Sequence, residues 1–329
     1  MRIAIQRAFR LACAGIVVVA PGAAWAQSEA ATYPNKPARM VVPFAPGGSS
    51  EIIGRLIAQK LAELWGQPFI IDNRPGGGGS IGAETVARAT PDGYTILFTN
   101  PGPGLHNVLL RQKPSYTLND FAPIVYIGYS SNFIVANPKF PPNNVKELVA
   151  YAKANPGKVN WASPGTNSNP HISLETLKAA TGIDVVHIPY KGSGPALTDL
   201  VGGQVDALYA SPISAETFLK AGRLKVLGIS GTKRNPGMPD VATFTEQGVK
   251  GADSILWFGL LTAAATPRFI IEKLNGGVNK ALQMPDLRQR LGQLGVEIEG
   301  GPPEKFGALI RSEAARLAPL IKSGALRIE

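Results

Sequence analysis

The feature that most constrains this chain is an alternation repeated along most of its length: a short β-rich run, a glycine or proline loop, then a helical pattern. Residues 39–44 (RMVVPF) lead through Pro46-Gly47-Gly48-Ser49-Ser50 into a run where Ile53, Ile57, Leu61 and Leu64 recur at helical spacing until Gly66. The unit returns. Residues 69–72 pass through Arg74-Pro75 and the glycine run 76–79 into a helix over 81–89, and residues 94–98 lead into another Pro/Gly-rich loop. Alternating βα units of this kind predict an α/β fold with a mainly parallel sheet covered by helices on both faces.

A second series begins near Phe133. Residues 133–136 read as a strand and 145–154 as a helix capped by Asn144, with Glu147 at its third position. Strands at 159–162, 185–188, 205–209 and 226–230 follow, with helices from Pro170 and over 195–201 among them. After Gly251 an apolar strand over 255–261 precedes three helices: one capped by Thr266, one over 285–294 and one from Pro303. No long linker divides the series. The chain is therefore expected to cross between two α/β lobes more than once, with glycine loops and helix N-termini from both sides projecting into the cleft.

Composition removes several alternatives. An apolar content of 44% supports a sizeable core, 17% charged residues are too few for a disordered chain, and the 37 glycines show no three-residue period. Arg2, Arg7 and Arg10 before the apolar run 11–20, followed by Ala24-Trp25-Ala26, predict a secretory signal peptide over residues 1–26, cleaved after Ala26. Pro21 and Gly22 stop that run short of a membrane span. Cys13, the one cysteine, falls inside the leader, so the exported chain has neither disulfide nor thiolate chemistry. The formal charge of +10 comes from dispersed Lys and Arg without basic blocks, which predicts a solvated basic surface and no nucleic-acid partner. His106, His171 and His187 are scattered and no calcium loop occurs, so neither a metal nor another cofactor is expected.

One segment imitates two catalytic motifs. Residues 77–82 fit G-x-G-x-x-G from Gly77 and G-x-S-x-G from Gly78. Asn73-Arg74-Pro75 nevertheless separate the glycines from the strand, and Ser80 lies too far beyond Asp72 for a nucleophile elbow. Without a nucleophile, an acid/base pair or a metal set, the chain does not read as an enzyme. Two loops carry a different chemistry. In residues 43–50, glycines let the backbone approach a ligand, and the helix start that follows presents unpaired N–H groups and a positive dipole end. That combination binds carboxylates without Arg or Lys. Residues 163–171 form a second strand-to-helix loop rich in hydroxyl and amide groups. Composition also allows both loops ordinary turn and capping roles, and His171 either orients a solute or satisfies a buried neighbour.

Longer stretches carry a resemblance. Residues 43–48 (PFAPGG), 73–76 (NRPG), 80–83 (SIGA), 91–94 (PDGY), 189–196 (PYKGSGPA), 202–206 (GGQVD) and 257–260 (WFGL) appear in this order. The chain resembles the Bug family, the periplasmic solute receptors of tripartite tricarboxylate transporters, over essentially its whole exported length. The resemblance implies a two-lobed periplasmic-binding-protein fold, Venus-flytrap and type II-like, with a ligand cleft between two α/β domains. Domain 1 would be discontinuous, residues 27–126 plus 255–329, and domain 2 would span 127–254. It implies a periplasmic monomer that captures a small organic carboxylate, a di- or tricarboxylate or an aromatic acid, closes by hinge motion and delivers it to membrane permease subunits. The alternative is a periplasmic sensor presenting the same solute to a membrane signalling partner.

The ligand-binding residues that follow are Phe44, Ala45, Pro46, Gly47, Gly48, Ser49 and Ser50 in the first loop, with Asn100 after the third strand. Thr166, Asn167, Ser168 and His171 in the second loop join them, together with Tyr190 and Ser211. Ser49, Ser50, Thr166, Ser168 and neighbouring amides are the expected polar contacts; Phe44, His171 and Tyr190 are the expected apolar wall. Three positions depart from the family pattern: Glu51 where relatives usually carry Asp, Asn167 where they carry a second Gly, and Ala210 where many carry Asp. Without an acid at 210, a plain carboxylate is expected over an ammonium-bearing solute.

Overall fold

In the computed structural model, which describes residues 32–231, 233–235 and 238–322, the βα alternation builds two sheets. The expected leader, its cleavage after Ala26 and Cys13 lie outside the described residues. The strands are β1 (Ala38–Val42), β2 (Phe69–Asn73), β3 (Thr95–Thr99), β4 (Phe121–Ser131), β5 (Phe133–Ala136), β6 (Asn160–Ser163), β7 (Val186–Pro189), β8 (Ala207–Ala210), β9 (Lys225–Ile229), β10 (Ile255–Ala263) and β11 (Glu297–Ile298). A six-stranded sheet takes the order β11-β4-β10-β3-β1-β2 and a five-stranded sheet the order β7-β6-β8-β5-β9. The helices are α1 (Ser49–Trp65), α2 (Ser80–Ala87), α3 (Asn107–Leu110), α4 (Val145–Ala154), α5 (Asn169–Thr181), α6 (Ser193–Val201), α7 (Pro212–Lys220), α8 (Arg268–Gln283), α9 (Pro285–Gln293) and α10 (Pro303–Lys322).

The local signals act as their chemistry dictates. In α1 the helically spaced Ile53, Ile57 and Leu61 are fully buried, and Gly66, at φ 67°, ends the helix in the left-handed conformation. At the start of α4, Asn144 Oδ1 accepts from the Glu147 N–H at 2.8 Å.

The expectation of mainly parallel sheets needs correction. Among the described residues, parallel strand pairing occurs in β2-β1-β3 and β7-β6-β8, beside one isolated parallel bridge between Ile229 and Thr243. Strand β10 runs antiparallel to β3 and β4, and β5 antiparallel to β8 and β9. These strands enter their sheets from the opposite lobe instead of through a helical crossover, and only the crossover enforces parallel direction. Strand β4, absent from the sequence reading, is interrupted by Pro123 and Gly128, and its register with β10 shifts beside both.

The chain leaves the first sheet at Ser131 and enters the second at Phe133, making Asn132 one crossing; it returns through Ser254 into β10. The domain boundary expected after residue 126 falls inside β4, which stays in the first sheet as far as Ser131. Helix α10 returns to the first lobe through Phe306. Its ring covers Gly259, where an added Cβ would come within 2.2 Å of it, and meets Tyr126 face to face and Trp257 edge-on with centroids 6.1 and 5.4 Å away. Trp161, Tyr209 and Phe244 anchor the second lobe, all buried. No helix among the described residues is long and apolar enough to cross a membrane.

Candidate functional site

Three helices begin at the wall of one chamber between the lobes. Gly48, Ser49 and Ser50 bring the start of α1 from the first lobe; Ser168, Asn169 and Pro170 bring α5, and Ser193 brings α6, from the second. The N-caps of α1 and α6 are Gly48 and Gly192, so no side chain occupies their first-turn N–H groups. Ser168 does cap α5, its Oγ accepting from the His171 N–H at 3.4 Å. Asn100 sits between: its Nδ2 donates to Ser50 Oγ at 3.1 Å while its Oδ1 accepts from the Gly102 N–H at 3.0 Å. Because Ser50 Oγ is held as an acceptor, its own O–H is left to donate to a bound group. Phe44, Pro164, Pro170 and Leu256 complete the wall with apolar surface. No charged side chain lines the chamber, whose volume is about 30 Å³.

Two clasps of backbone close on either side. In one, the Ala45 N–H donates to the Lys191 carbonyl oxygen at 3.0 Å, and an added Cβ on Gly194 would fall 2.1 Å from the Pro46 oxygen. In the other, Gly78, at φ 61°, lies so close to the second-lobe loop that a Cβ would fall 1.8 Å from the Thr166 oxygen. Asn107 Nδ2 donates to the Gly78 carbonyl at 2.9 Å and an Arg111 guanidinium nitrogen to that of Gly77 at 2.7 Å, fixing the glycine run from its own lobe. The segment that imitates two catalytic motifs is thus an inter-lobe contact.

The histidines shape the second clasp. His171 and His187 stack with ring centroids 3.8 Å apart and planes 13° from parallel. His187 Nε2 lies 2.6 Å from Ser163 Oγ, and His171 Nδ1 accepts from the Asn167 N–H at 3.1 Å. Burial holds His171 down at about 3 and His187 at about 4, while His106, fully buried, is held at about 3. All three are neutral imidazoles at neutral pH. Among the described residues no group of three or more His, Cys, Asp or Glu is placed to hold a metal ion.

Of the expected residues, Phe44, Gly48, Ser49, Ser50, Asn100 and Ser168 line the chamber. Ala45, Pro46 and Gly47 belong to the first clasp, Thr166 and Asn167 to the second. His171 faces His187 and not the chamber wall. Tyr190 donates its O–H to Asp199 Oδ2 at 2.7 Å, and Ser211 caps α7, accepting from the Ser214 N–H at 3.3 Å. Pro164, Asn169 and Pro170, inside the second expected loop but not among its named contacts, also line the chamber, together with Ser193 and Leu256. Ser193 was legible as the residue after Gly192 in a loop-to-helix stretch; Leu256 was not, since its apolar strand reads as core.

None of the three family departures lines the chamber. Glu51 pairs with Arg55 along α1, and Ala210 is buried in the second lobe's core. Asn167, at φ 65°, is the one non-glycine residue at positive φ among the described residues. A left-handed position explains why glycine suits it, and asparagine is the residue that next tolerates it.

Comparison with known proteins identifies the family. Residues 53–326 match the profile of the Tripartite tricarboxylate transporter family receptor. A protein encoded in the tcbD-tcbE intergenic region of Pseudomonas sp. (strain P51) is 35% identical over 95% of this chain and 93% of its own length. BugT of Bordetella pertussis is 33% identical over 97% of this chain and 98% of its own. Among solved structures, the periplasmic binding protein BugD superposes with a TM-score of 0.85 at 34% identity, covering 90% of this chain and 100% of BugD. A Rhodopseudomonas palustris protein solved with adipate gives 0.84 at 33% identity, covering 88% and 97% of the two chains. MatC of the same species, solved with bound malate, gives 0.83 at 33%, covering 86% and 98%. A two-lobed α/β fold, a chamber of helix starts and a profile match over most of the length lead to one conclusion: the chain belongs to the tripartite tricarboxylate transporter receptor family, whose members are periplasmic solute-binding proteins and not enzymes.

Proposed function

We propose that the protein captures a small dicarboxylate between its lobes and hands it to the permease subunits of a tripartite transporter. The observation that carries this reading is the convergence of the α1, α5 and α6 starts on a chamber with no charged side chain in its wall. Each helix start carries partial positive charge, roughly half an elementary charge, beside N–H donors. Because α1 belongs to one lobe and α5 and α6 to the other, a solute with a carboxylate at each end bridges them. Ser49, Ser50, Ser168 and Ser193 add hydroxyl donors, and Phe44 and Leu256 cover the carbon chain. The wall offers no carboxylate to an ammonium group. The relatives solved with adipate and with malate support the same solute class.

A chamber of about 30 Å³ holds one or two waters, so a bound solute makes room by turning the lining side chains between the clasps, which stay closed in the loaded form. The moving bodies are the two sheets with their helices, turning about Asn132 and Ser254, and the working form is an exported monomer cleaved after Ala26. Thermal melting of residues 27–329 against organic acids, with amino acids and nucleotides beside them, tests the reading. A dicarboxylate at 100 times its Kd should add about 2.7 kcal/mol of stability. Stabilisation by amino acids or nucleotides alone would overturn it.

A further inference from the structure

We infer that Asn169 is a positioning residue whose side-chain amide ties the solute-facing start of α5 to both places where the chain crosses between the lobes. The inference rests on the reading of this chamber as the solute site. Asn169 opens α5, lines the chamber and is 5% exposed. Its Oδ1 accepts from Asn132 Nδ2 at 2.8 Å, and Asn132 is the first crossing. Its Nδ2 donates to the Ile255 carbonyl at 3.2 Å, on the residue after the second crossing. One amide therefore spends its acceptor on one crossing and its donor on the other.

The crossings are also bonded to each other. Asn132 Nδ2 donates to Ser254 Oγ at 3.2 Å, the Ser173 and Ser254 hydroxyls lie 2.6 Å apart, and Ser173 donates back to the Asn169 carbonyl at 2.9 Å. Ser230, at the end of β9, donates its N–H to the Asn132 carbonyl at 2.8 Å and its hydroxyl to the Ser254 carbonyl at 2.9 Å. This ring is largely buried, and of its side-chain polar atoms only Asn132 Oδ1 lacks a partner among the described residues; the remaining bonds, made where water does not compete, favour one arrangement.

The backbone of Asn169 supplies the other half of the connection. Pro170 has no N–H, and those of His171 and Ile172 are taken by Ser168 Oγ and the Ser168 carbonyl oxygen. The first-turn donor of α5 left to a solute is that of Asn169 itself. A carboxylate held there sits on the same residue whose side chain fixes the angle between the lobes.

The test is amide hydrogen exchange on the ligand-free exported chain, comparing wild type with Asn169→Leu, Asn169→Asp and the chamber control Ser193→Ala. Asn169→Leu should speed exchange at Ser230 and Ser254 by roughly tenfold while α1 and α4 keep wild-type rates. Asn169→Asp keeps the acceptor for Asn132 and loses the donor to Ile255, so it should loosen residues 254–256 and leave 131–133 protected. Ser193→Ala should change neither. Unchanged crossings in both Asn169 variants, or a uniform rise over both lobes, would overturn the inference. Malate then separates the two claims: it should slow crossing exchange in wild type and not in Asn169→Leu. A wild-type protein indifferent to malate counts against the solute reading, while the ligand-free comparison still decides the role of Asn169.

Discussion

At the clasps the two lobes touch backbone to backbone; at the crossings, side-chain amides and hydroxyls carry most of the bonds. The clasps rest on Gly78 against Thr166 and on Gly194 against Pro46, where a single methyl group would overlap a carbonyl oxygen. The crossings rest on Asn132, Asn169, Ser173, Ser230 and Ser254, joined through amide and hydroxyl groups. The difference separates two tasks. Closure requires that two surfaces meet without obstruction, which is a steric condition, whereas the lobe angle requires directional bonds that hold one geometry. The same kind of change should therefore have unequal effects in the two regions.

The largest effect is expected at the clasps. Gly78→Ala places a Cβ 1.8 Å from the Thr166 oxygen and also strains a backbone at φ 61°. Dicarboxylate affinity should fall a hundredfold or more by titration calorimetry, with scattering showing a more open particle, while melting falls by only about 1 kcal/mol in stability. Gly194→Ala sharpens the comparison, because its Cβ would fall 2.1 Å from the Pro46 oxygen at a position without positive φ, which isolates steric obstruction from strain. Affinity unchanged in both would remove the clasps from the closing mechanism.

An intermediate effect is expected from acid. The His171 and His187 side chains are held at about 3 and about 4 in the fold, against about 6.5 in an unfolded chain. The unfolded chain takes up protons first, so the stability they contribute is fully present above pH 6.5 and is lost as pH falls toward 4. Each should cost about 2 kcal/mol at pH 5, read as a melting temperature several degrees below that at pH 7. His171→Gln should remove its share of that dependence and leave those of His187 and His106; an identical pH profile in the variant would contradict the assignment. Lys178 is the charged neighbour of both rings, and its positive charge further disfavours their protonation.

The smallest effect belongs to Asn100. Asn100→Ala removes the bonds to Ser50 Oγ and the Gly102 N–H, freeing the Ser50 hydroxyl to turn away from the solute. A loss of about 1 kcal/mol, or roughly fivefold in affinity without a change in the closed shape, is expected from calorimetry beside scattering.

What could be read from sequence divides along the same line. The loop from β1 into α1, the Asn144 cap and the glycine stops were legible because each depends on residues within a few positions of one another. The antiparallel course of β5 and β10 was not, because strand direction follows from which lobe the chain arrives from. Six expected residues reach the chamber since they sit at strand ends or helix starts, where local pattern and position coincide. Tyr190 and Ser211 fall outside it because their hydroxyls are claimed by Asp199 and the start of α7. Asn169 lies within the second expected loop, but its link to the crossings is not legible in sequence, because its partners lie 37 and 86 positions away and only the fold brings them together.

The central claim is that helix starts from both lobes hold a carboxylate at each end of one solute. Calorimetric titration of residues 27–329 with C4 to C6 dicarboxylates, each beside its amino-substituted counterpart, tests it most directly. The account predicts binding of at least one plain dicarboxylate and a tenfold or greater penalty for adding an ammonium group. Tight binding of aspartate or glutamate, with the plain dicarboxylates silent, would contradict it.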